Sequence, residues 1–215
     1  ALESLHIALD HLKKITGRTL VDDEEVLILP GRDDGTGIDR LVLTFSAGEE
    51  LKIVVTGLLG DVSLESVQRA ASSAYARVVE SLSLADRRRA EIQLDALLKA
   101  RPDLILMAGG TDGGASRTIF RLADLIALTC RLLPREERPE IIYAGNQAIA
   151  AKIKEGLSKW TTVHQAPNLR PTIDQEDTSP ARNILAQAAA SIRSRRTHGL
   201  EGLSSIASAP TLPTA

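Results

Sequence analysis

Residues 103–114 read DLILMAGGTDGG, an apolar run that breaks abruptly into four glycines around one aspartate. A short apolar run bounded by glycine suits a buried strand. The periodic stretch from Ser116 to Leu133 predicts a helix directly after it. Glycines at a strand-to-helix turn let backbone N–H groups approach a ligand at the positive end of the helix dipole. Residues 108–116 are therefore the best binding-site candidate in the chain.

The same alternation continues on both sides of this stretch. Strand-like runs fall at 51–57, 76–80, 103–108, 140–144 and 161–164, with helical patterns near 64–75, 84–100, 116–133 and 147–158. Ser83 followed by Asp86 resembles a capping box, and Pro102 ends that helix. Ser63 is placed to cap the helix before it. The pattern predicts an α/β fold: a doubly wound, mostly parallel five-stranded sheet of flavodoxin or Rossmann-like type. Strands 51–57 and 103–108 should be parallel neighbours, with the winding reversal between them.

Outside this core (49–170) the chain predicts two appendages. Residues 1–48 carry a helix with Leu2, Leu5, Leu9 and Leu12 on one face, then a β-hairpin from Val26–Pro30 and Leu41–Ser46 around the polar loop 31–40. Residues 171–215 carry a helix starting at Ser179, with Ile184, Ala188 and Ile192 on one face, and a Pro-rich tail. The basic run Arg193, Arg195 and Arg196 reads as a solvated helix end.

Composition narrows the function classes. A net charge of -2 and only 2% aromatic residues argue against nucleic acid and acidic membrane surfaces as partners. No run reaches membrane-spanning length. The single cysteine, Cys130, sits in a helical apolar pattern and reads as a buried structural thiol; with no membrane-spanning run and no basic-then-apolar leader, a reducing, cytoplasmic compartment is expected. The chain opens at Ala1 within an amphipathic pattern and without methionine, which predicts a piece of a longer protein.

In a doubly wound sheet, ligands bind beyond the carboxyl ends of the strands. The loops facing that edge are TGLLGDVS (56–63), AGGTDGGAS (108–116) and the Ala144-Gly145-Asn146 strand end. Their candidate ligand-binding residues are Thr56, Gly57, Gly109, Gly110, Thr111, Asp112, Gly113, Gly114, Ser116, Gly145 and Asn146. Each has a plainer role to compete with: Asp112, Ser116 and Asn146 are also placed to cap helices, and the glycines to satisfy tight turns. Several sharper chemistries fail. There is no GxxxxGK P-loop, no GxGxxG fingerprint and no G-x-S-x-G elbow. One cysteine and scattered histidines leave no zinc spacing. The acidic run Asp22, Asp23, Glu24 and Glu25 reads as a solvated turn. No catalytic residue is assigned, since no nucleophile–base pair stands out.

The segments LKIVVTGLLGDVSLESVQRAA, RPDLILMAGGTDGGASRTIF, EIIYAGNQAIA and GLSSIASAPTLPTA resemble the MutL-type accessory proteins of glutamate mutase, a family distinct from the mismatch-repair proteins of the same name. AGGTDGG after an apolar strand is the most specific of these. The resemblance covers most of the chain but only a middle portion of the longer family protein. It implies kinship with actin-like ATPases and a role in supporting or reactivating adenosylcobalamin-dependent mutases. The family's DxGST and DIGGATTD phosphate motifs do not occur here, SSAAGGL is altered to FSAGEEL at 45–51, and no DxHxxG cobalamin motif is present. ATP and Mg are thus implied only for the full-length protein, with no cofactor for this chain. The implied partners are the remainder of the parent protein and a cobalamin-dependent mutase. The resulting expectation is a non-catalytic ligand- or partner-binding domain. The alternatives are an enzyme acting on a small phosphorylated or nucleotide substrate at 108–116, or a purely structural insert.

Overall fold

A computed structural model describes residues 2–23, 26–41, 50–114 and 116–196. They divide into two units, Ala1–Gly48 with Ala190–Ala215, and Glu49–Ala189. The larger unit is built on a five-stranded, all-parallel sheet of β1 (Leu51–Thr56), β2 (Ala76–Leu82), β3 (Leu104–Met107), β4 (Glu140–Tyr143) and β5 (Val163–Gln165). Their order, β2-β1-β3-β4-β5, is the flavodoxin-like one, and β1 and β3 are parallel neighbours with Val54 beside Ile105 and Thr56 beside Met107.

The central strands are buried on both faces, which is why they read as unbroken apolar runs. Val54, Ile105, Met107, Ile141, Tyr143 and Val163 share one core with α3 (Ala90–Ala100), α4 (Arg117–Leu132) and α5 (Ala150–Leu157). Leu97, Ile126, Cys130 and Ile153 are among the residues those helices contribute. The first crossover runs the other way along the sheet, which puts α2 (Glu65–Ala71) on the opposite face. That face carries the alternate residues Ile53, Val55, Leu104, Leu106 and Ile142, all fully buried. Trp160 follows α5 and stacks 6.0 Å under the Arg131 guanidinium. Burial pushes the Cys130 thiol up to about 11, as befits a structural cysteine. No helix among the described residues is long and apolar enough to cross a membrane.

Helix starts differ from the sequence expectation for local reasons. The stretch from Gly60 to Leu64 winds as a π-helical turn before α2. Ser63 does not cap that helix; its hydroxyl accepts from the backbone N–H groups of Leu58 and Leu59 at 2.8 and 3.0 Å. Likewise α3 begins at Ala90, not 84, and Ser83 and Asp86 form no capping box. The intervening residues are held by Arg88, which reaches Glu80 at 3.0 Å and Asp86 at 2.7 Å. Pro102 does end α3, after Arg101 turns left-handed at φ 42°.

In the smaller unit, α1 (Leu2–Thr16) buries Leu5 and Leu9 against Leu20 and Leu27, while Leu12 is exposed. The expected hairpin is corrected in part. Val26–Pro30 forms no regular strand, only an isolated antiparallel bridge between Val21 and Leu27. Turns hold this region instead, with Arg18 donating to Gly35 and Gly37 carbonyls at 3.0 and 3.1 Å. Of the second expected strand, residues 42–46 lie outside the described residues. The last helix, α6 (Ser179–Arg196), starts where expected, and its residues up to Ala189 belong to the larger unit. Its buried side runs through Ala181, Leu185, Ala188, Ala189 and Ile192, one residue round from Ile184. Arg193 is buried, not solvated, whereas Arg195 and Arg196 are exposed.

Two outcomes follow from this packing. Leu106→Ala is expected to lower unfolding free energy by about 2–5 kcal/mol in urea melts, because the cavity opens in the sheet centre. Val78→Ala on the edge strand β2 should cost about 0.5 kcal/mol or less. The second outcome concerns acid. Arg88 hydrogen bonds hold the Glu80 and Asp86 carboxyls below their ordinary range. As pH falls, the unfolded chain protonates first, so the clamp's contribution is full above about pH 4.3 and is lost through the depressed values. Arg88→Met should flatten that acid limb in a pH series of thermal melts.

Candidate functional site

Three of the strand ends that carry glycine meet at one edge of the sheet. After β3 the chain runs Ala108-Gly109-Gly110, with Gly109 at φ 130° and Gly110 at φ 74°. After β4 it runs Ala144-Gly145-Asn146. The two backbones lie so close that a Cβ on Gly145 would sit 2.8 Å from the Gly109 carbonyl oxygen. After β1, a Cβ on Gly57 would sit 2.7 Å from the Leu64 nitrogen in the π turn. A side chain at either position would force these backbones apart.

Asn146 ties the loops together. Its buried Oδ1 accepts from Gly113 at 3.1 Å and from Ala148 at 3.0 Å, and its Nδ2 donates to the Gly114 carbonyl at 3.2 Å. It thus caps the turn that leads into α5 and crosslinks it to the β3 loop. Its own carbonyl accepts from the Tyr143 hydroxyl at 3.0 Å. Burial, with the nearby charge of Asp112 adding, raises the Tyr143 pKa well above the usual phenol range, so the hydroxyl stays a donor.

Asp112 does not cap α4. Its Oδ1 accepts from the Gln147 N–H at 2.9 Å and the Asn168 Nδ2 at 2.9 Å, while its own N–H donates to the Pro171 carbonyl at 3.0 Å. Ser116 occupies the N-cap position of α4 with no side-chain capping bond. Thr56 is fully buried on β1, its hydroxyl unpartnered among the described residues.

Beside the network lies a cleft of about 260 Å³. Of the residues expected from sequence, Gly109, Gly110 and Thr111 line it; Asp112, Gly113, Gly114, Gly145 and Asn146 form the scaffold behind, and Thr56, Gly57 and Ser116 do not line it. Most of the wall is apolar: Leu58, Leu59 and Val62 come from the loop 56–63 expected at this edge, whereas Leu84, Leu169 and Ile173 were not visible in the sequence. Asn168 and Arg170 join Ser63, Thr111 and Thr172 as its polar side chains. Arg170 is anchored by Ser66 Oγ at 2.7 Å and the Ile173 carbonyl at 2.8 Å. Asn168 and Arg170 came from the irregular segment HQAPNLRPTID, which has no periodicity to read; its Asn and Arg between prolines were the only signal. No group of three or more His, Cys, Asp or Glu is placed to hold a metal among the described residues.

A family profile described as MutL protein matches residues 2–215. The chain belongs to the MutL family. It is 31% identical over 153 residues to Protein MutL of Clostridium tetanomorphum, covering 70% of this chain and 30% of that protein. The chain therefore spans about a third of the length of the curated family member it matches.

The network predicts an order of sensitivity in thermal melts. Gly113→Ala should cost about 1 kcal/mol for its positive φ alone, since nothing lies within 4 Å of the added carbon. Gly109→Ala should cost more, because its Cβ would lie 2.8 Å from Leu58 Cγ. Asp112→Ala should cost about 1 kcal/mol through its lost acceptor. Thr111→Ala should leave the melt nearly unchanged.

Proposed function

We propose that this chain is a non-catalytic ligand- and partner-binding domain of a MutL protein that supports or reactivates an adenosylcobalamin-dependent mutase, glutamate mutase in the first instance. Its working surface in this reading is the carboxyl edge of the sheet. The observation that carries the reading is the commitment of Asp112. The only carboxylate in the glycine loop accepts two hydrogen bonds from the scaffold, so it is poorly placed to move a proton. The cleft beside it is mostly apolar, and Leu59, Leu84 and Ile173 on its wall are 57%, 50% and 70% exposed. Apolar surface of this kind suits contact. ATP and Mg act on the remainder of the parent protein, which is itself a partner of this domain.

Calorimetric titration against purified glutamate mutase carrying adenosylcobalamin tests the reading. The wild-type domain should bind, and Ile173→Asp or Leu84→Asp should weaken binding by about tenfold or more, about 1.4 kcal/mol, with an unchanged melting temperature. Absence of binding both by the domain and by the full-length parent would overturn it. So would Mg-ATP turnover by this chain that is lost in Asp112→Asn.

A further inference from the structure

The cleft holds a set of donors that the fold itself does not use. The N–H groups of Gly110 and Thr111, and the Thr111 hydroxyl, have no acceptor among the described residues. Both residues are half-buried. Buried backbone N–H groups are almost always paired, since an unpaired one forfeits its hydration without return.

The two N–H groups are held in place by the carbonyls of their own peptide units. The Gly109 carbonyl is pinned by the Asn146 N–H at 3.2 Å, and the Gly110 carbonyl by Asn168 Nδ2 at 3.0 Å. Peptide planarity then fixes the N–H on the other side of each of those two units, at Gly110 and Thr111. Around them stand the apolar residues Leu58, Leu59, Val62, Leu169 and Ile173, with Arg170 as the cation of the same wall. The cleft volume lies just below the usual range for small-molecule pockets, about 300–1,000 Å³.

We infer that this cleft binds a small organic carboxylate, its head on the Gly110 and Thr111 donors and its short apolar body against Leu58, Leu59, Val62 and Ile173. The inference rests on the binding-domain reading above and adds the chemical class of ligand. Preformed donors in an apolar cleft favour an anionic acceptor, because they need no reorganisation to receive it.

Proton–nitrogen correlation spectra recorded during titration with octanoate test this directly. Octanoate should shift the Gly110 and Thr111 amides saturably. Acetate, which lacks the body, and octylammonium, which lacks the acceptor, should bind about tenfold more weakly or worse. Leu59→Glu, at an exposed position on the wall, should abolish the octanoate shifts while leaving the melting temperature unchanged. No saturable shift below the micelle concentration would overturn the inference, as would equal shifts from octylammonium. The mutase titration is read separately. Mutase binding without octanoate binding removes the ligand alone, and octanoate binding without mutase binding removes the partner.

Discussion

The carboxyl edge of this sheet depends on one side chain, the amide of Asn146. It is buried, and it satisfies two backbone donors and one acceptor drawn from two loops. An aspartate there would lack the donor for Gly114, and a leucine would strand all three groups. The glycines follow from that constraint. Asn146 can reach Gly113 and Gly114 only if the β3 and β4 strand ends approach closely, and Gly145 allows that approach by having no side chain, while Gly109 leaves room for Leu58 of the β1 loop. Once the backbones touch, Asp112 falls within reach of Gln147 and Asn168, and the wall of the cleft is set.

This explains why the site is apolar and yet rich in donors. Side-chain polar groups at the edge are mostly consumed in holding loops together, so the unspent hydrogen-bonding capacity sits on the backbone. Arg170 shows the same economy. Its guanidinium serves Ser66 and the Ile173 carbonyl, and it lies 3.7 Å from Glu176, which in turn pairs with Arg69. The charge is present at the wall but is largely balanced by its own surroundings.

The sheet was legible because each central strand is buried on both faces and announces itself as an apolar run. Strand order itself was not legible; right-handed crossovers leave few arrangements of such an alternation, and the flavodoxin-like one was the first choice among them. Helix starts were less so. Ser63 and Ser83 look like caps, but a cap is decided by where the backbone turns, and here a π turn and the Arg88 clamp moved that point. Asp112 and Asn146 were visible as candidates, yet their partners were not. The bond from Gln147 to Asp112 crosses 35 positions and exists only because β3 and β4 are neighbours. Asn168, Arg170 and Ile173 were beyond reach for a similar reason. Their segment follows no period and takes its shape from Leu169 bonding to Ala144 and Pro171 bonding to Asp112.

That last segment has a consequence for how the protein is made. A chain emerging from the ribosome in order presents all five strands before residues 166–177 appear. The sheet can therefore assemble while one wall of the cleft is still in the exit tunnel. Until that wall arrives, Asp112 lacks both Asn168 and the Pro171 carbonyl, and the apolar residues Leu58 and Val62 face water. The newborn domain thus passes through a stage in which the sheet stands but the pocket does not, and its stickiest surface is open to whatever waits at the tunnel mouth.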